Sequence, residues 1–448
     1  MAKPSAAKRS RARKLVCIVG SDDFHQSMIG RVPEAKNWRL EQVLHRTDVQ
    51  PSRGAFDFDA LYAKARSIID GFDRPPDAII GHLDFPVTAL VSLLCRHYGL
   101  TAASPEAVAR CEHKFWMREI QRKVQPERTP KVRAVNPFAP DAIDKAPMPF
   151  PFWLKPVKGH SSMLGFRVRE ASEYGRALHA CRQAIHRYGE PFNAFLAYLP
   201  ENTRPPNGVD GNYAIAEELI SEEQLFTIEG YVHKGKATAY AAIESRRTGK
   251  HMSSLSSYHY PAELPEKVVE AGREQVAEVL AQVGFDNGPF NVEFFHDPAS
   301  GRLNLLEINP RLSKSHSPLF EMVDGCTHHK QAIQLALGRK PDKPARKGTS
   351  PMAAKFMVRS HEANGIVRRV PGQDDIERLR RLLPDIVVQM LVEEGQDLAD
   401  LADQDSYSFE LMDIFLGGGD AEFIADAHDR CRDSLAFLIQ PMPRHRVR

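Results

Sequence analysis

Phe290-Asn291-Val292-Glu293-Phe294-Phe295 and Leu303-Asn304-Leu305-Leu306-Glu307-Ile308-Asn309-Pro310-Arg311 are two β-prone runs joined across Asp297-Pro298-Ala299-Ser300-Gly301, a turn signal. Residues two apart on a strand share a face. Asn291 and Glu293 therefore point one way on the first run, and Glu307, Asn309 and Arg311 share a face on the second. A hairpin brings the two faces together, gathering two carboxylates, an amide and a guanidinium. Oxygen donors beside a cationic fork suit Mg²⁺ held with nucleotide phosphates rather than a softer metal. Two carboxylates turned inward on otherwise apolar strands are costly to bury without a compensating cation. An ion-paired hairpin facing water is the alternative, and the hairpin alone leaves both open.

Two weaker signals lie upstream. In Phe152-Trp153-Leu154-Lys155-Pro156-Val157-Lys158-Gly159-His160-Ser161-Ser162-Met163-Leu164-Gly165-Phe166 an apolar strand delivers a lysine, then a small-residue loop, then another strand. Backbone N–H groups in such a loop can cradle phosphate oxygens, and the lysine adds a point charge. It is not the Walker-A pattern. Tyr213-Ala214-Ile215-Ala216-Glu217-Glu218-Leu219-Ile220 is an apolar strand ending in acids, able to offer backbone groups to an adenine.

Farther out, Lys14-Leu15-Val16-Cys17-Ile18-Val19-Gly20 reads as a buried parallel strand, with Gly20 in a tight turn because no G-x-G-x-x-G follows. Pro76-Asp77-Ala78-Ile79-Ile80-Gly81 and the apolar-periodic stretch Val87 to Tyr98 repeat the strand–turn–helix theme, which predicts an open α/β sheet over residues 15–110. A helix is expected from Pro105 to Lys123, followed by a proline-rich link. Further helices are expected over Glu266–Val283 and Thr327–Leu337, so that His328-His329 marks a helix start rather than a metal site. Residues 341–348 read as a linker before a final α+β lobe, 349–448, with Gly417-Gly418-Gly419 in a loop.

The bulk numbers narrow the class. A chain of 448 residues is long enough for about three lobes. Its 42% hydrophobic and 26% charged content is that of an ordinary globular protein, and a net charge of +2 provides no field for nucleic acid or membrane surfaces. No run of about 18 apolar residues suggests a membrane span. Six cysteines without paired spacing fit reduced thiols and a cytoplasmic location. Residues 1–14 carry six basic side chains and no apolar stretch, so the expectation is a disordered solvated tail rather than a secretory signal. An organellar transit peptide and a nucleic-acid arm are the other readings of that tail.

In order and spacing, Lys114, the Lys155-to-Gly165 strand pair, the Glu217-Glu218 hinge and the Asn-x-Glu and Glu-x-Asn-x-Arg strands together resemble the ATP-grasp superfamily. The lobe ending Gly99-Leu100-Thr101-Ala102-Ala103-Ser104-Pro105 is similar to the family's pre-ATP-grasp domain, and the resemblance runs from Leu15 to about residue 440. It implies an α/β and α+β multi-lobed fold: a parallel-sheet domain over 15–110, the ATP-grasp domain over 111–340 with a central lobe at about 150–215, and the C-terminal α+β lobe. It also implies ATP with Mg²⁺ or Mn²⁺ as cofactors. Lys114 and Lys155 would contact the phosphates under a closing loop containing Gly159, Ser161 and Ser162. Glu217 with the backbone of Glu218 to Ile220 would read adenine, and Glu229 would face nucleotide or substrate. Glu293, Glu307 and Asn309 would bind the metal, and Arg311 would be the catalytic group that steadies the acyl phosphate.

Within the superfamily, Glu307 to Gly325 is similar to biotin carboxylase, with its acids, arginine and His316. The carboxylase pattern has a glutamate before that histidine, whereas this chain has Ser315 preceded by Lys314, and no Met-Lys-Met of a biotin carrier is present. The reading is therefore a ligase that joins a small-molecule carboxylate to an amine, as amino-acid and dipeptide ligases do, with Arg246, Arg247 and His316 as candidate substrate contacts. Carboxylation and a non-catalytic ATP-binding regulator are the alternatives; a homodimer is an option, and no nucleic-acid or membrane partner is expected.

Overall fold

The computed structural model describes residues 13–50, 56–159, 163–220, 224–248, 254–361, 364–401, 404 and 408–442. Residues 1–12 of the expected basic tail therefore lie outside the described residues, while Lys14, expected in the tail, begins the first strand.

Leu15 through Val19 are completely buried, as a strand covered on both faces requires. Strands β1 (Lys14–Ser21), β2 (Trp38–His45) and β3 (Ala78–Gly81) make a parallel sheet in the order β2-β1-β3. Parallel neighbours need crossovers, and the helices Phe58–Asp70 and Val87–Tyr98 flank β3. Gly20 adopts φ +71°, and a Cβ there would sit 2.8 Å from Val87 Cγ2, so the turn is tight and purely structural.

The expected helix over 105–123 is two helices, Pro105–Glu112 and Lys114–Val124. His113 breaks it with extended backbone, and its Nδ1 accepts the Trp116 N–H at 3.1 Å as an N-cap. Lys114 N–H instead bonds Val157 O at 3.0 Å, which ties the second helix to the central lobe. There β4 (Val132–Val135), β5 (Phe152–Pro156), β6 (Phe166–Val168) and β7 (Ala214–Glu218) pair in the order β4-β7-β5-β6. Phe152, Leu154, Ala214 and Ala216 pack against Leu178 and Cys181 of the helix Ala171–Ala184, so strand alternation turns Lys155 and Glu217 to the other face.

The largest sheet has eight antiparallel strands in the order β12-β11-β8-β9-β10-β13-β16-β15. They are β8 (Gln224–His233), β9 (Lys236–Thr248), β10 (Ser254–Tyr260), β11 (Gly288–His296), β12 (Leu303–Asn309), β13 (Met352–Ser360), β15 (Val387–Met390) and β16 (Phe409–Gly418), while β14 (Gly365–Arg369) pairs separately with β17 (Leu438–Pro441). The pairing of β10 with β13, His259 opposite Ala354, joins the C-terminal α+β segment to the same sheet. Gly417 and Gly418, expected in a loop, end β16 instead: a Cβ on Gly417 would lie 2.4 Å from Ser350 Oγ, so the close approach of that segment excludes a side chain.

The helix Glu266–Val283 forms as expected and covers one face of this sheet, with Val276, Val279 and Val283 in a core shared with Phe226, Phe290, Val292 and Phe294. Each such side chain contributes about 1.5–3 kcal/mol by burial. The other face of the β11/β12 hairpin is left for polar groups. A bulge decides which ones: Glu293 pairs with Glu307 but Phe294 with Leu305, leaving Leu306 as the extra residue. Leu305 thereby enters the core although it has the parity of Glu307 and Asn309.

Candidate active site

A cleft of about 1420 Å³ lies between the parallel-sheet lobe, the central lobe and the large sheet. Lys114, Lys155, Gly159, Glu217, Glu218, Ile220, Glu293, Glu307, Asn309 and Arg311 all line it. Ser161 and Ser162 lie outside the described residues.

On the hairpin, Glu293 stands opposite Glu307 and Asn291 opposite Asn309. Asn309 Nδ2 donates to Asn291 Oδ1 at 3.2 Å, and Asn291 Nδ2 donates to Glu229 Oε1 at 2.9 Å. Burial and the neighbouring Glu307 charge push the Glu293 carboxyl up to about 7. Burial acts on Glu307 in the same sense, but Lys114, Lys155 and Lys158 outweigh it and hold that carboxyl below its ordinary range. Lys114 Nζ is 3.3 Å from Glu307 Oε2 and donates to Gly159 O at 2.7 Å. Among the described residues no three carboxylate, imidazole or thiolate groups converge to hold a metal by themselves. Two carboxylates plus the Asn309 amide are an oxygen set that fits Mg²⁺ only with further ligands, such as nucleotide phosphates and water. Their mutual repulsion, visible in the raised Glu293, is what a cation would relieve.

Two expected roles, those of the Glu217 and Glu229 side chains, need correction. The Glu217 side chain, expected at adenine, is buried between Arg118 and Lys155: Lys155 Nζ is 2.8 Å from Oε2 and Arg118 Nε donates to Oε1. Burial would raise this carboxyl, yet the two cations hold it at about 2. Its charge is spent on the protein, and it fixes the lysine. In the hinge that follows, the Glu218 N–H donates to Lys131 O at 2.9 Å and its Oε2 accepts the Lys131 N–H at 3.2 Å. Glu218, Leu219 and Ile220 all line the cleft. Glu229 does not line the cleft at all. It is fully buried beneath it, and its Oε1 accepts from Asn291 Nδ2, from the Ser313 N–H at 3.1 Å and faces His316 Nδ1 at 2.9 Å. It braces the hairpin and the loop after Arg311.

Several groups were not singled out in the sequence. Arg118 is completely buried and donates to Glu217, to Gln121 Oε1 and to the carbonyls of Leu305 and Leu306, binding the helix Lys114–Val124 to β7 and β12. Lys158 pairs with Glu112 under the rings of Phe85 and Phe192. Asp84 grips Arg311 bidentately, Nε to Oδ1 at 2.8 Å and Nη2 to Oδ2 at 2.9 Å. Asp84 follows β3 and His25 follows β1, and ligands of open α/β sheets gather at the carboxyl ends of strands. That rule was the available signal for both. Arg246 and Arg247 belong to β9 and reach the cleft, the first paired with Glu244 at 2.9 Å, the second 5.7 Å above the Phe295 ring. His329 begins the helix His329–Ala336, as expected, and its Nε2 faces His82 Nδ1 at 3.2 Å.

Because Asp84 holds the Arg311 guanidinium, Asp84→Asn should cut any turnover that depends on Arg311 about 10–100-fold by misplacing that group. A double-mutant cycle with Arg311→Lys should then be strongly non-additive. Additive losses would show that the two side chains act separately.

Residues 148–318 match the model of the ATP-grasp domain family. The architecture as a whole is that of the ATP-grasp fold. The L-amino acid ligase from Bacillus licheniformis superposes with a TM-score of 0.69 at 15% identity, covering 96% of this chain and 100% of that one. The biotin carboxylase domain of the Hydrogenobacter thermophilus 2-oxoglutarate carboxylase, solved with MgADP and bicarbonate, gives 0.60 at 15% identity, covering 96% and 92%. In sequence, the carbamoyl phosphate synthase large chain of Pseudarthrobacter chlorophenolicus is 27% identical over 168 residues, 36% of this chain. The match spans 15% of the length of that relative.

Proposed function

We propose that the protein is an ATP- and Mg²⁺-dependent carboxylate–amine ligase working through an acyl phosphate. The observation that carries this reading is the set Glu293, Glu307, Asn309 and Arg311 facing Lys114 and Lys155 across one cleft. Binding a nucleotide does not call for both acids and an Asp84-braced arginine; stabilising charge on a transferring phosphoryl group does.

Glu293, Glu307 and Asn309 would hold Mg²⁺, which supplies charge neutralisation at the phosphate oxygens. Lys114 and Lys155 place ammonium groups in the cleft, the second held by Glu217. A substrate carboxylate oxygen attacks the terminal phosphorus of ATP and ADP departs. An amine then attacks the acyl carbon, inorganic phosphate leaves, and the amine's surplus proton is released. Arg311, fixed by Asp84, is the group placed to accompany the acyl phosphate through both steps. The mixed anhydride must be kept from water, which the three walls of the cleft favour. Ser315, standing where the carboxylase pattern carries its glutamate, supports amide formation over carboxylation.

The test is ADP release across a panel of amino acids and amines, with hydroxylamine as a trap, and in parallel across bicarbonate plus biotin. ADP and hydroxamate formed with an amino acid are expected. ADP formed only with bicarbonate and biotin would replace this reading by carboxylation; tight ATP binding without any turnover would replace it by a nucleotide-binding regulator.

A further inference from the structure

A wall of the cleft remote along the sheet from the hairpin is built by β13 and β16. Met357 stands opposite Asp413 and Lys355 opposite Phe415, and a bulge beside Val358 brings Glu410 opposite Arg359. Strand alternation sends Lys355, Met357 and Arg359 to one face, and all three line the cleft together with Glu410, Asp413 and Phe415. Four ionisable groups meet there. Lys355 Nζ lies 2.8 Å from Asp413 Oδ2 and 3.6 Å from Glu410 Oε1. Arg359 donates to Glu410 Oε2 at 2.8 Å, to Leu255 O at 2.7 Å and to Ser408 Oγ at 3.2 Å, so its guanidinium is committed to the wall.

Asp413 is different. Its side chain is only 6% exposed, one oxygen is taken by Lys355, among the described residues no N–H group faces Oδ1, and the carboxyl's other hydrogen-bond partner is the Glu410 carboxyl. Two buried carboxyls in contact must share a proton or a cation, because both cannot stay ionised side by side. Burial pushes this carboxyl up to about 8 against the pull of Lys355, with the Glu410 charge adding to the rise. An incoming ammonium could take the place of that proton and leave the charge of the corner unchanged. Tyr258, Met357 and Phe415 provide apolar surface beside it. Lys355 Nζ also reaches Ser315 Oγ at 3.5 Å, so the corner adjoins the short loop that follows Arg311.

We propose that Asp413 and Glu410 form a recognition subsite for a non-reacting ammonium group of a co-substrate. The inference rests on the ligase reading for what the neighbouring site does with that molecule. The ammonium has two possible sources, an α-amino group and a side-chain amine, and the same experiment separates them.

Binding is measured by calorimetry on the full chain with Mg²⁺ and a non-hydrolysable ATP analogue, comparing L-alanine with propionate and L-lysine with L-norleucine. A preference of about tenfold or more for the ammonium-bearing member of one pair is expected, the size of a charge-assisted hydrogen bond. Discrimination in the first pair identifies an α-ammonium, and in the second a side-chain ammonium. Asp413→Asn and Glu410→Gln should each abolish the preference and leave affinity for the ATP analogue unchanged. Equal binding within both pairs, no binding of any of the four, or a preference that survives in either variant overturns the subsite. The wild-type comparison stands even if a variant folds poorly. ADP release followed with the same compounds keeps the two ideas apart: discrimination without turnover removes the ligase reading alone, and turnover without discrimination removes the subsite alone.

Discussion

Replacing Glu307 by glutamine should lower Mg²⁺-dependent ADP formation about 10²–10³-fold, the scale for losing one charge-stabilising group at a reacting centre. Glu307 is the member of the acid pair that stays ionised, because Lys114, Lys155 and Lys158 favour its charge. Glutamine keeps the shape and one oxygen but removes that charge, leaving Glu293, whose own carboxyl sits near 7, as the sole acid at the position. The fold should tolerate the change. The Lys114–Glu307 contact is part-exposed at 12% and 27%, and pairs of that kind contribute about 0–1 kcal/mol. Losing it is partly offset by relief of the repulsion between the two acids. The check is ADP release titrated with Mg²⁺, beside a thermal unfolding curve. Full activity in Glu307→Gln would sink the metal assignment, and a collapsed melting curve would mean that the loss of rate says nothing about chemistry.

The largest loss of stability is expected at Arg118, a residue that need not touch any ligand. Arg118→Met keeps most of the volume but strands the Glu217 carboxylate with Lys155 as its remaining charged partner, and it leaves the carbonyls of Leu305 and Leu306 without their donor. Removing one partner of a buried pair costs about 3–5 kcal/mol, because the other charge stays buried. The variant should unfold at markedly lower denaturant concentration, and Arg118→Met combined with Glu217→Gln should recover part of the loss by removing the orphaned charge. A loss below about 1 kcal/mol would indicate that water reaches the pair and that its burial is not maintained in solution.

What could be read in the chain was local. The two-residue period of Phe290–Phe295 and Leu303–Asn309 states which side chains share a face, and the structure turns Asn291, Glu293, Glu307 and Asn309 to the cleft accordingly. Strand alternation also separates Lys155 from Phe152 and Leu154, and the continuous apolar run of Leu15 to Val19 announces a strand covered on both sides. Even here a bulge at Leu306 intervened, since parity alone would have put Leu305 beside Glu307.

By itself, then, the order of residues determined the hairpin with its paired acids, the lysine strand facing it and the parallel sheet before them, because periodicity acts over a few residues and is written in them. Only the tertiary structure decided who neutralises whom. Glu217 meets Arg118 across 99 positions and Arg311 meets Asp84 across 227, and Glu229 lies beneath His316 rather than at the cleft. Charges choose partners by distance in space, and burial multiplies the consequence of each choice. Acids that look alike along the chain thus become a cleft-facing pair, a lysine anchor and a hidden brace.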